Sequence, residues 1–175
     1  MKKLILSLGF TVLTFAVLAQ TQQVESEVRF PNYHPLVVHF PIILLLAAAV
    51  MQIGVLFFKN KAYNYTIIAF TIIGFVTGLL ASNLFHAHAS ESIPAAQMAI
   101  FESHEKFANI TIWLSGIAAC VKLLGLFIKM KWVETLALVL LLGSAVAVSI
   151  AGHHGAELVY KYGIGPEGKK LEQEN

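Results

Sequence analysis

Four apolar runs, at residues 35–58, 65–85, 107–128 and 133–151, decide what this chain can fold into. Each is close to the ~20 residues with which an α-helix crosses the hydrocarbon of a bilayer. Hydrocarbon offers no partner to a backbone N–H or C=O, so such a run spans it as a helix whose hydrogen bonds close internally. The expected fold class is all-α, a bundle of four transmembrane helices. With 57% hydrophobic and 13% charged residues among 175, the chain is far more apolar than a soluble domain needs to be.

Charge along the chain orients the bundle. Residues 1–19 carry Lys2 and Lys3 before a short apolar core that ends in Val17-Leu18-Ala19, the pattern of a secretory signal peptide, with a retained anchor helix as the alternative. Residues 20–33 are polar and read as a lead-in on the outer side, 34–165 as the membrane domain and 166–175 as a polar outer tail. Lys59-Asn60-Lys61 and Lys129-Met130-Lys131 are short basic links, which the positive-inside rule assigns to the cytoplasm. Lys122, about two turns before Lys129, is expected to snorkel the same way. The long link 86–106 has Glu91, Glu102 and Glu105 against one lysine and belongs outside.

All seven histidines then fall on that outer side. His34 and His39 open the first helix, His86 and His88 follow the second, His104 opens the third, and His153 and His154 follow the fourth. An ionisable side chain at a helix end in a membrane pairs, faces a cavity or binds something. Within His34-Pro35-Leu36-Val37-Val38-His39-Phe40-Pro41, Pro35 suits the first helical position, where no backbone donor is needed. Pro41 removes a donor one turn further in and leaves the carbonyl of Val37 for His39, a neighbouring helix or a ligand. At 1.5 Å of rise per residue His39 is expected ~7 Å deeper than His34, inside the bundle. Small residues at Gly74, Gly78 and Ser82, and at Gly143, Ala147 and Ala151, form ridges that let helices approach closely or admit a flat cofactor. The stretch 92–105 alternates apolar and polar positions and is expected to lie as an interfacial helix over the bundle mouth.

Imidazoles bind zinc, copper and iron, and two at matched depth hold a haem iron from both faces. The expected site is His39, His104 and His153 with His34 nearby, with Asn83, Asn109 and Tyr160 as groups that orient an imidazole. Other chemistries lack their residues. The chain has no aspartate, no HExxH, no Ser/His/Asp set and no glycine-rich phosphate loop. Cys120 is the single cysteine, so neither an intrachain disulfide nor a CxxCH haem attachment is available. A formal charge of +2 with scattered basic residues gives no footing for nucleic acid.

HPLVVHFP at 34–41, Thr77-Gly78, His104 and AGHHGAELVYKYGIG at 151–165 together resemble an uncharacterised four-helix bacterial membrane family, a domain of unknown function with HPxxVHFP and GHxGGxLVYxxGVG motifs. The resemblance spans about 34–165, and by motif it carries over His34, His39, His104 and His153, followed by Gly155, Leu158 and Tyr160. Ala156 stands where the motif has glycine. The resemblance implies a multi-pass protein of the bacterial inner membrane with its histidine face toward the periplasm. In relatives the domain is sometimes joined to cytochrome c-like or iron-sulfur modules, which implies redox work and a respiratory-chain or other redox partner, without an established activity.

Two functions from different classes are expected. One is a periplasm-facing site that binds haem b, or copper as the alternative, for electron transfer. The other is a cofactor-free membrane subunit that docks a partner protein through its polar mouth. A metal-ion permease would need polar residues continuing through the inner halves of the helices, and those halves read as Leu, Val, Ile, Ala and Phe.

Overall fold

The computed structural model describes residues 34–57, 60–84, 94–128 and 130–164. The expected signal peptide, lead-in and tail, together with His86 and His88, lie outside the described residues. Four helices make up the described part: α1 (His34–Gly54), α2 (Lys61–Asn83), α3 (Ala95–Leu124) and α4 (Lys131–Tyr162). Each is long and apolar enough to cross a membrane.

Local chemistry sets the helix ends. Pro35 lies in the first turn of α1, where its missing N–H costs nothing. Asn60 caps α2 from an extended backbone, its Oδ1 accepting the N–H of Ala62 at 2.8 Å. Gly163 ends α4 in the left-handed region (φ 63°). Its N–H donates to the carbonyl of Val159, the 5→1 bond of an αL cap, and the N–H of Ile164 donates to that of Leu158.

The helices pack in the cyclic order α1, α2, α3, α4, with α4 returning to α1, and the α3–α4 seam is the most extensive. Water is not the solvent of the outer faces, so close packing and interhelical hydrogen bonds hold such a bundle rather than burial of oil from water. The core accordingly uses alanine: Ala48, Ala49, Ala118 and Ala145 meet Leu141 and Ile67. Glycines accept neighbouring knobs. A Cβ at Gly74 would stand 2.9 Å from Leu45 Cδ2, and one at Gly116 2.8 Å from Phe75 Cε2. Leu36, Ile43, Val50, Val139 and Val146 turn outward as a lipid-facing surface requires.

Two expectations about helix length are corrected. No separate interfacial helix covers 92–105: from Ala95 that stretch is the start of α3, which runs 30 residues without a break. The fourth helix continues past Ala151 to Tyr162, 32 residues in all, and carries His153, His154 and Gly155 within it. At 1.5 Å per residue α3 and α4 are about 45 and 48 Å long, more than the ~30 Å hydrocarbon core. Glu102, Glu105 and Lys106 are good helix formers with no proline among them, and the long shared seam supports the extension.

The opposite end is more polar than the sequence suggests. Lys122 does not snorkel. It is 1% exposed, and its Nζ donates to Asn64 Oδ1 on α2 and to Glu134 Oε2 on α4, the latter at 2.9 Å. Gln52 of α1, 2% exposed, donates its Nε2 to the same carboxylate oxygen at 2.8 Å. Tyr63 Oη of α2 closes the ring by donating to the carbonyl of Met51 on α1 at 2.9 Å. All four seams thus carry a polar link at one level. Above it, the hydroxyls of Thr71, Thr111 and Ser115 are buried but bonded to carbonyls of their own helices. The Ala/Leu/Ile core cluster stands between this girdle and the histidine end.

Candidate functional site

At the histidine end the four helices enclose a cavity of about 440 Å³. That size suits a small molecule or cofactor. Its walls are chiefly apolar, with Pro41 and Ile42 from α1, Phe101 and Ile112 from α3, and Val148 from α4. Gly78 and Ala81 on α2 and Gly152 and Gly155 on α4 hold the space open by having little or no side chain. Polar groups are few: His34 and His39 from α1, Ser82, His104, Thr111, and Tyr160 at the rim.

His34, His39 and His104 therefore come together on one cavity, whereas His153 is not among its walls. His153 is exposed and lies against His154, with ring centroids 5.7 Å apart. His154 in turn lies near Phe107, and its Nδ1 is 3.9 Å from Glu157 Oε2. Among the described residues no group of three or more His, Cys, Asp or Glu side chains is placed to hold a metal ion.

His39 lies five residues further along the continuous α1 than His34, as expected, but the burial of the two rings differs. His34 is half-buried and reaches across to α2, while His39 is exposed. Five residues turn a helix by about 140°, so the two rings cannot share one bearing toward the axis. His39 also bonds to the carbonyl of Pro35 rather than to that of Val37.

One pattern is common to the three cavity histidines. Nδ1 of His104 is 2.8 Å from the carbonyl oxygen of Ala151, Nδ1 of His34 is 3.3 Å from that of Ala81, and Nδ1 of His39 bonds to that of Pro35. A carbonyl only accepts, so in each ring Nδ1 is the protonated, donating nitrogen. This is the arrangement in which a histidine serves as a ligand, its far nitrogen anchored by a backbone carbonyl. Gly155 makes it possible at His104: a Cβ there would lie 3.2 Å from both Cε1 and Nδ1 of the ring. The glycine lets the imidazole lie flat enough on α4 to reach Ala151.

The expected orienting groups sit elsewhere. Asn83 is exposed and donates to Leu79 of its own helix at 2.9 Å. Asn109 is exposed and outside the cavity wall. Tyr160 lines the rim with 90% of its surface exposed. Ala81, Ala151 and Gly155 do the orienting, and alanine carbonyls leave no mark in a sequence. Gly155, within Gly152-His153-His154-Gly155, was the available signal.

A family model described as "Predicted membrane protein (DUF2231)" matches residues 31–168. No curated protein and no solved structure matches the chain.

Proposed function

We propose, from the premise that the chain belongs to this family of predicted membrane proteins of unknown function (DUF2231), that its histidine end holds haem b and passes electrons. The support is the cavity itself: imidazoles from α1 and α3, each with Nδ1 held by a carbonyl, line an apolar space of about 440 Å³. Haem iron takes two imidazoles, one on each face, so the donors of two helices suffice. His104 from α3 with His34 or His39 from α1 would hold the iron. The small side chains of α2 and α4 leave room for a flat ring.

Haem supplies one-electron chemistry between ferric and ferrous iron. The chain's residues bind, orient and exclude. Ala81 and Ala151 carbonyls anchor Nδ1 of the two rings, while Pro41, Ile42, Phe101, Ile112 and Val148 give the cavity apolar walls. A dry, low-dielectric surround is one of the levers that sets a haem potential. Lys61 and Lys131 begin α2 and α4 at the far end, and with Lys59 and Lys129 they support a cytoplasmic position for that end. The histidine end then faces the periplasm of a bacterial inner membrane, where a redox protein of the respiratory chain could exchange electrons with it.

A reduced-minus-oxidised absorption spectrum of the purified full-length protein tests the proposal. Haem b bands whose position and intensity change in His104→Ala are the expected result. A colourless protein without iron, co-purifying with another subunit, overturns it in favour of a cofactor-free docking role.

A further inference from the structure

Residues 34–84 and 104–154 read as two versions of one hairpin. At a shift of 70 residues LFFKNK at 56–61 lies on LFIKMK at 126–131, Ala48-Ala49 on Ala118-Ala119, His34 on His104 and Ala81 on Ala151. Burial keeps the same register. α1 buries Pro41, Leu45, Ala48, Ala49 and Gln52, and α3 buries Thr111, Ser115, Ala118, Ala119 and Lys122, the same five positions.

Side-chain contacts repeat as well. His34 Nδ1 bonds to Ala81 and His104 Nδ1 to Ala151, each across 47 residues and from the first helix of a hairpin to its second. In the girdle the Gln52–Glu134 bond and the Lys122–Asn64 bond exchange places, because position 52 corresponds to 122 and 64 to 134. Packing follows: the seam of α2 with α3 has its counterpart in that of α4 with α1. Both hairpins traverse the bundle in the same direction, so the axis relating them runs along the membrane normal, the parallel type of internal repeat.

We propose that the chain is a tandem duplication of one α-hairpin, and that His34 and His104, equivalent across its pseudo-twofold axis, are the pair that grips the ligand in the cavity. The second half of this statement rests on the haem reading above; the first does not. α1 and α3 stand diagonally in the cyclic packing order, and His34 and His104 line the one cavity from these opposite helices. Two imidazoles so placed would be the residues to hold a haem. The remaining histidines break the symmetry. His39 corresponds to Asn109 and His153 to Asn83, so neither has an imidazole counterpart in the other hairpin.

The girdle tests the axis without any cofactor. Exchanging four of its members across the axis in the full chain, by Gln52→Lys, Asn64→Glu, Lys122→Gln and Glu134→Asn together, rebuilds the three links among them at the equivalent places and leaves Tyr63 where it is. The fourfold variant is expected to unfold thermally close to the parent temperature, while Lys122→Gln alone, which strands Glu134, unfolds well below it. A fourfold variant that melts as low as the single one, or does not fold, overturns the duplication.

Spectra of the haem-loaded protein test the pair. His34→Ala and His104→Ala should each convert a six-coordinate low-spin spectrum to a five-coordinate one that added imidazole reverses, with His153→Ala, outside the cavity wall, unchanged. A six-coordinate spectrum that survives His34→Ala overturns the pair. Absence of haem from the parent protein removes the pair together with the haem reading, and the fourfold exchange then still decides the duplication.

Discussion

One methyl group at Gly155 separates the stability of the bundle from the competence of its site. In Gly155→Ala the new Cβ would stand 3.2 Å from Cε1 and Nδ1 of His104. Heavy atoms in contact settle at about 3.5–4.0 Å, so the ring must retreat by roughly 0.3–0.8 Å. Nδ1 begins 2.8 Å from the Ala151 oxygen. A retreat of that size carries it to or beyond the ~3.2 Å limit of a good N–H···O bond. Losing the bond costs about 0.5–1.5 kcal/mol. Replacing glycine by alanine inside a helix returns about 0.8–1.0 kcal/mol. The two nearly cancel, and since a chain of this size moves its Tm by about 2–4 °C per kcal/mol, thermal unfolding should shift by no more than a few degrees. The ligand should feel much more. Loss of an orienting bond behind a metal-bound histidine typically lowers affinity about 10–100-fold. Haem titration into the ligand-free protein, followed by absorption, measures the affinity; calorimetry or a fluorescence melt measures the stability. If Gly155→Ala melts more than ~10 °C lower, the glycine is a packing requirement and not a support for His104. If haem affinity is unchanged, His104 is not a ligand.

Lys122→Met leaves Glu134 and Asn64 without their cation and should destabilise by about 3 kcal/mol, the low end for a broken buried pair because Glu134 retains some solvent. Lys122→Met with Glu134→Gln should recover much of that loss in the same melt, since no unpaired charge remains. Gly116→Val drives a branched side chain into Phe75, already 2.8 Å from a first Cβ, and should cost about 1–3 kcal/mol by overpacking. Gly163→Ala forces a side chain onto a backbone with φ 63° and should cost about 1–2 kcal/mol, seen as earlier loss of helix at the end of α4.

The resemblance in HPLVVHFP and AGHHGAELVYKYGIG pointed to the family that the chain belongs to. The signal that went unread was the repeat at 70 residues. Few positions are identical between the hairpins, and the shared pattern lies in which positions are buried, as at Gln52 and Lys122, rather than in their chemistry. Lys122 shows why: a lysine near a helix end reads as a snorkelling group until partners from two other helices are seen to enclose it.

Hydrophobic run length was enough to determine four membrane-spanning helices, because hydrocarbon tolerates no other backbone arrangement for such segments. Motif spacing was enough to put His34, His39, His104 and His153 at one end. Which of them share a cavity was decided only in three dimensions. Facing direction depends on helix rotation and on backbone neighbours from other helices: Ala81 turns His34 across a seam, Ala151 and Gly155 seat His104, and His153 faces away from the cavity wall. Pairings between residues 47 positions apart arise when helices pack, and they are written in no local stretch of sequence.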